Sequence, residues 1–320
     1  MKSKLLIFSG TANPALAVGI CKYLQIELGQ ADICRFPDQE IDVKIESDVR
    51  GADVFIVQPT CTPVNEHLME LLIFIDCAKR ASANQITAVI PYYGYARKDR
   101  KDEGRVPITA KLVANLLVTA GAQRILTMDL HADQIQGFFD IPLDHLLARV
   151  VLVPYFLHLN IPNLVVVSPD IGSIRQARAY AKRLEADLAV IDKRRDSPRS
   201  VISGTLIGYV DGKNALIVDD MISTGNTMVE AYHCLKRNGC QDVYLCATHA
   251  VFAENAWKKM LECPAKQIVV TDTIPIPKDH GLPNLKVITI ANYLGEAIRR
   301  IHESESISAL FQQPLDLSSL

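Results

Sequence analysis

Leu216-Ile217-Val218 is followed at once by Asp219-Asp220, then Met221-Ile222, and then a loop of small polar residues, Ser223-Thr224-Gly225-Asn226-Thr227. Three aliphatic residues read as a buried strand with two carboxylates at its carboxyl end. Met228, Ala231 and Leu235 lie at helical spacing after the loop, and Asn238-Gly239 supplies a stop signal. A strand, a short loop and a helix in that order form half of a βαβ unit, and in open α/β sheets ligands bind beyond the carboxyl ends of the strands. Backbone N–H groups at such a loop favour an anion. Thr224 and Thr227 can add hydroxyl donors to phosphate oxygens, and Gly225 lets the backbone approach closely. The two aspartates would repel a phosphate but suit the hydroxyls of a sugar whose phosphate sits in the loop. The alternative is an ordinary corner with solvated aspartates, since helix N-termini attract acidic residues.

The same alternation runs through the chain. Strands are expected at 5–9, 33–36, 41–45, 54–57, 88–90 and 125–128 in the first half. In the second half they are expected at 164–167, 188–191, 216–218, 243–246, 268–270 and 287–290. Helices are expected from Pro14 to about Leu28, Val64 to Ala81, Ile108 to Ala120, Ile174 to Leu184, after Thr227, and from about Asn292 to Ile301. Residues 64–81 are apolar nearly all round, so that helix is buried on several sides, deep in its domain or at a subunit interface. Strands alternating with helices predict mainly parallel sheets flanked by helices. The 320 residues suit two α/β domains, with a boundary near Asp144–Pro154: 1–147, 148–290, and a C-terminal helix and tail, 291–320, packing back on the first domain. Gly51 to Val57 resembles Gly212 to Val218, a faint sign that the domains are related.

Composition excludes several classes. A net charge of −2 supplies no basic field for nucleic acid, and no apolar run reaches membrane-spanning length. The expectation is a cytoplasmic protein without nucleic-acid or membrane partners. The eight cysteines are scattered, mostly in apolar segments and without a Cys-x-x-Cys pair, so they read as buried thiols.

Four further clusters sit where strands end. Arg35-Phe36-Pro37-Asp38-Gln39-Glu40 offers an aromatic face beside carboxylates, suited to stacking on a base, or is a plain turn. Tyr92 to Lys101 gathers aromatic and cationic residues around Gly94, suited to a polyphosphate, or is a solvated loop. Asp129-Leu130-His131-Ala132 places a histidine where a metal–nucleotide could bind, although a lone histidine is commonly structural. Ser168-Pro169-Asp170-Ile171-Gly172-Ser173 is a second anion loop whose carboxylate could hold Mg²⁺. Lys193-Arg194-Arg195 adds positive charge.

The stretch around Asp219 resembles the phosphoribosyl-binding signature of phosphoribosyltransferases and phosphoribosyl pyrophosphate synthetases. The whole chain is similar to the synthetases (ribose-phosphate diphosphokinases). Gly94-Tyr95-Ala96-Arg97, Pro107 to Leu117, Thr127-Met128-Asp129-Leu130-His131-Ala132 and Gln134 to Asp140 carry that similarity. It implies two related phosphoribosyltransferase-like domains, ATP as diphosphoryl donor, ribose 5-phosphate as acceptor, and Mg²⁺. By resemblance ATP would meet Phe36, Asp38, Glu40, Arg97, Lys98, Asp99 and His131. His131 and Asp170 would serve the metal, and Asp170, Ile171, Gly172 and Ser173 the pyrophosphate. Asp219, Asp220, Ser223, Thr224, Gly225, Asn226 and Thr227 would hold ribose 5-phosphate, and Lys193 and Arg195 would be catalytic, on a closing loop. A homohexamer built from dimers and a regulatory site near Arg50, Lys101, Arg105, Ser306 and Ser308 are also implied. The family usually has glycine at Gln39, Ser173 and Asn226 and glutamine at Lys98, and bacterial members commonly have aspartate at Ser223. These departures leave open a non-catalytic regulatory paralogue that binds nucleotides.

Overall fold

Alternate residues of the first strands face opposite ways and yet both sets are buried, which requires helices on both faces of the sheet. The computed structural model describes residues 3–193 and 204–311. It divides into two units. One is built on the chain up to Ala148, with Thr273–Pro275 and the segment from Thr289; the other is built on Arg149–Asp272 and Ile276–Ile288.

In the first unit the elements are β1 (Leu5–Ser9), α1 (Pro14–Leu24), β2 (Ala31–Arg35), β3 (Ile41–Ile45), β4 (Asp53–Val57), α2 (Val64–Arg80), β5 (Gln85–Ile90), α3 (Thr109–Ala120), β6 (Arg124–Met128) and β7 (Leu143–Leu146). Strands β1, β4, β5, β6 and β7 form a parallel sheet in that order, while β2 and β3 pair as a separate antiparallel hairpin. Leu6, Phe8, Val54 and Ile56 join a core with Leu71, Phe74 and Ile75 of α2 and Val113 and Leu117 of α3. Ile7, Phe55 and Val89, pointing the other way, are also fully buried. Helix α2, expected to be buried on several sides, buries one face (Leu68, Leu71, Phe74, Ile75 and Ala78), while Leu72, Ile73 and Cys77 are half-buried and Met69 is exposed. Helix α1 stops at Leu24, four residues short of the expected end, because Gln25 turns left-handed (φ 55°) and caps it.

The second unit contains α4 (Arg149–Leu159), β8 (Leu164–Ser168), α5 (Ile174–Arg183), β9 (Asp187–Lys193), β10 (Gly204–Ile207), β11 (Asn214–Ile222), α6 (Asn226–Arg237), β12 (Val243–Ala250), α7 (Ala256–Glu262), β13 (Gln267–Thr271) and β14 (Leu285–Ile288). Its seven strands run in the order β10-β9-β8-β11-β12-β13-β14, all neighbours parallel except the β10–β9 edge pair. From β8 the chain builds outward through β9 and β10, then returns to β11 and builds the opposite way. The order thus reverses between β8 and β11, where ligands bind in doubly wound sheets. The first unit's five-stranded order has no such reversal.

The last helix, α8 (Ala291–His302), lies in the first unit against α1. Glu296 accepts from Tyr23 Oη of α1 (3.0 Å) and from Arg299 and Arg300, and His302 Nδ1 is 2.8 Å from the buried Asp53 carboxylate. Six cysteines are buried, Cys77 is half-buried and Cys34 exposed, and none is in a disulfide. Among the described residues no helix is long and apolar enough to cross a membrane. Residues 312–320 of the expected tail lie outside the described residues.

Candidate active site

Strand β11 is longer than its aliphatic core suggests. It continues through Asp219, Asp220 and Met221 to Ile222, because β12 goes on pairing beside it (Asp219 with Ala247, Ile222 with Ala250). The loop between strand and helix is therefore only Ser223-Thr224-Gly225. Gly225 is left-handed (φ 81°), so the backbone favours glycine there, and a Cβ would lie 3.0 Å from Met260 Cε at the end of a flexible side chain. No side chain caps α6 among the described residues, which leaves N–H groups at its start for a ligand.

Asp219 is buried behind this loop. Its Oδ1 accepts from Ser173 Oγ (2.7 Å) and from the Asp220 N–H (3.0 Å). Ser173 N–H donates to Asp170 Oδ1 (3.0 Å), and Ser168 Oγ donates to the Asp170 carbonyl (2.6 Å). The ends of β8 and β11 are thereby tied together across the reversal point. Burial first, then the charges of Asp220 and Asp170, hold the Asp219 carboxyl well above the usual range, while Ser173's hydrogen bond opposes the rise. The charges of Asp220 and Asp170 bear on Asp219, an electronegative surrounding that suits sugar hydroxyls, and among the described residues no three acidic, histidine or cysteine side chains are grouped to hold a metal ion.

In the first unit, the β2–β3 turn presents Phe36 with its ring half exposed (49%). Phe36 N–H donates to Glu40 O (2.9 Å), Gln39 N–H to Phe36 O (2.9 Å), and Glu40 N–H to Asp38 Oδ1 (3.3 Å). These bonds build a turn without committing the Phe36 face. Arg35 is engaged by Glu66. Gly94 follows β5 where a Cβ would stand 2.5 Å from the Thr60 carbonyl, so only glycine lets the charged run pass. Arg97 and Lys98 are exposed beyond it; Lys98 pairs with Asp102 (3.2 Å) and Asp99 accepts from Gln134 Nε2 (2.5 Å). That last bond ties the charged run to the segment after His131, which is itself exposed.

Lys193 ends β9, and Arg195 lies outside the described residues. His131 belongs to the first unit and Asp170 to the second. Arg50 bonds Ser82 (3.3 Å), while Ser306 takes Arg300 through its carbonyl (2.9 Å) and the Ser308 N–H on its hydroxyl (3.2 Å); Lys101 and Arg105 are exposed. Two residues near the cluster had no sequence signal. Gln176 donates to Asp219 O (3.4 Å), and Lys259 Nζ donates to Thr224 O (3.2 Å). Both come from helices whose pattern is set by packing.

Comparison with known proteins decides the relationship. Residues 5–121 match the model for the N-terminal domain of ribose phosphate pyrophosphokinase, and residues 198–312 that for the phosphoribosyl synthetase-associated domain. Ribose-phosphate pyrophosphokinases of Synechococcus elongatus and Rhodopirellula baltica are each 52% identical, over 97% of this chain and 94% and 99% of theirs. The chain belongs to the ribose-phosphate pyrophosphokinase family. A crystal structure of phosphoribosylpyrophosphate synthetase from Mycobacterium smegmatis matches with TM-score 0.90 and 43% identity, covering 94% of this chain and 100% of that one. Within this family, the three positions that lack the usual glycine differ in consequence. Gln39 adopts φ 76°, so it meets glycine's conformation under strain. Ser173 has φ −87° and needs no glycine. Asn226 is the first residue of α6, and the left-handed turn falls on Gly225, so position 226 needs no glycine.

Proposed function

We propose that the chain is a ribose-phosphate diphosphokinase, which transfers the β,γ-diphosphoryl group of ATP to the C1 hydroxyl of ribose 5-phosphate. The observation that supports this best is the pairing of the uncapped α6 loop with Asp219 and Asp220 at the strand-order reversal, in a chain about half identical to such enzymes. The 5-phosphate is assigned to Ser223–Thr227, and the ribose hydroxyls to Asp219 and Asp220. The diphosphoryl product end is assigned to Asp170–Ser173. The adenine is assigned to Phe36, with Asp38 and Glu40 beside it, and the ATP phosphates to Arg97, Lys98, Asp99 and His131.

In the reaction the C1 oxygen attacks Pβ in line, the bond from Pβ to the α,β-bridging oxygen breaks, and AMP leaves with that oxygen while the hydroxyl proton is released. Positioning and electrostatics dominate such transfers. Lys193 and Arg195 are assigned to the charge that appears on the leaving oxygen. Asp170 suits Mg²⁺: its Oδ1 takes one N–H, and a carboxylate has about four acceptor sites. Mg²⁺, which would neutralise phosphate charge, is assigned to Asp170 in the second unit, and the metal–nucleotide in the first unit to His131. A homohexamer of dimers, a cytoplasmic setting, and a phosphate-responsive site at Arg50, Lys101, Arg105, Ser306 and Ser308 complete the proposal.

The test is AMP release from ATP and Mg²⁺ by the purified chain, with and without ribose 5-phosphate. Ribose 5-phosphate-dependent AMP is expected. A folded oligomer that binds ATP and releases none would overturn the reading in favour of a regulatory paralogue. Repeating the assay with added inorganic phosphate reads the regulatory assignment.

A further inference from the structure

The loop that receives the 5-phosphate in the reading above has its back against one short segment of the same unit. Phe252 N–H donates to Ile222 O (2.9 Å) and Ala253 N–H to Ser223 O (3.0 Å). The next carbonyl, Thr224 O, accepts from Lys259 Nζ (3.2 Å). Three consecutive carbonyls are thus drawn to one side. In a trans peptide the carbonyl and the following N–H point oppositely, so the N–H groups of Ser223, Thr224 and Gly225 are turned away from that segment. Two of the three anchors are backbone groups, and the third is a cation.

The placement of Lys259 is fixed by packing. Ala256, Lys259 and Met260 stand at i, i+3 and i+4 on one face of α7, and it is this face that meets Gly225. An added Cβ there would find Met260 Cε, Lys259 Cβ and Ala256 Cα within 3.9 Å. Ala256 and Met260 are fully buried, and Phe252 stacks obliquely on Trp257 with centroids 4.2 Å apart, which braces the segment. The loop otherwise offers a dianion only N–H groups and hydroxyls, next to two aspartates. A fixed ammonium behind the loop offsets that unfavourable field.

We infer that Lys259 is a positioning residue for ribose 5-phosphate: it fixes the Thr224–Gly225 peptide with its N–H toward the ligand and supplies the positive charge the phosphate loop lacks. This rests on the assignment of the loop to the 5-phosphate. The role is distinct from support of the fold, because arginine can replace both functions, glutamine the hydrogen bond without charge, and methionine neither.

The test compares the full-length wild type with Lys259→Arg, Lys259→Gln and Lys259→Met in steady-state AMP release. Lys259→Met is expected to raise KM for ribose 5-phosphate about ten- to a hundredfold, as for loss of one charge-assisted hydrogen bond. KM for ATP and the turnover at saturation should stay within about twofold. Lys259→Arg should restore most of the loss, and Lys259→Gln should fall between. An unchanged KM in Lys259→Met, a parallel change in both substrates, or an arginine variant as poor as methionine would overturn the inference. If the wild type itself releases no ribose 5-phosphate-dependent AMP, the proposed function fails. Calorimetric titration of ribose 5-phosphate into the same proteins then still decides Lys259: weaker binding by Lys259→Met than by the wild type supports the role, and equal binding, or none by the wild type, overturns it.

Discussion

Ser173 Oγ donates a 2.7 Å hydrogen bond to Asp219 Oδ1, and so joins the loop after β8 to strand β11 across the reversal of strand order. A glycine at this position, usual in the family, has no hydroxyl to make that link. Ser173→Gly should therefore leave Asp219 less well held against the charges of Asp220 and Asp170. The expected outcome is a fall of about tenfold in kcat/KM for ribose 5-phosphate, the scale of one hydrogen bond to a charged group. Ser173→Thr, which keeps the hydroxyl, should lose less. Initial-rate kinetics with each substrate varied would show it, and equal rates for serine and glycine would discard the link.

Lys193→Ala should reduce turnover far more than ATP binding. If its ammonium meets charge that develops in the transition state, removal costs about 3 kcal/mol in barrier, or more than a hundredfold in rate. Single-turnover rates beside equilibrium ATP binding separate the two, and undiminished turnover would remove Lys193 from the mechanism.

Glu70 of α2 is buried (2% exposed) and accepts from Thr11 N–H (2.7 Å), Thr11 Oγ1 (2.6 Å) and Gln58 Nε2 (2.7 Å). Glu70→Gln replaces an all-acceptor group by one that must turn its amide toward donors. A loss of about 2–3 kcal/mol in folding stability is expected. Denaturant melts would reveal it, and a midpoint like the wild type's would contradict this account.

Acid should loosen the C-terminal helix. The hydrogen bonds of Arg299 above all, then those of Arg300 and Tyr23, hold Glu296 down at about 2 against the cost of burial. A carboxyl depressed on folding contributes stability that is present above its ordinary 4.5 and lost as pH falls toward about 2. Glu296→Gln should lower stability at neutral pH by about 1.5–3 kcal/mol and flatten its dependence on pH between 5 and about 2. Melts across that range supply the check; a slope as steep as the wild type's would assign it to other groups, Asp53 first.

Gln39→Gly should raise stability slightly. The left-handed residue costs about 1–2 kcal/mol, partly offset by the greater freedom of glycine in the unfolded chain, so a net gain of about 0.5 kcal/mol is expected. A higher melting temperature would bear this out, and a lower one would show that the Gln39 side chain contributes contacts of its own.

The alternation of strands and helices was legible because both faces of each sheet are covered, and covered strands are continuous apolar runs. Where that rule lapsed, sequence reading lapsed too. Asp219 and Asp220 interrupt the hydrophobic run of β11, yet pairing with β12 keeps the backbone extended. Helix α4 was missed since Pro154 stands inside it and its apolar residues show no clear face. The residues of the site were legible as types in loops after strands. Their partners were not: Ser173 reaches Asp219 across 46 positions and Lys259 reaches Thr224 across 35, and no local pattern encodes such bonds.

Glu70 has one more consequence. At the end of β1 the chain has a strand–loop–helix turn like that after β11, but there the negative group that the turn's donors receive is a side chain of the protein itself. That turn carries its own acceptor, whereas the proposed function assigns the turn after β11 to a phosphate. If the proposed function holds, saturating ribose 5-phosphate should slow amide exchange around Ser223–Thr227 and leave that of Thr11, already bonded to Glu70, unchanged.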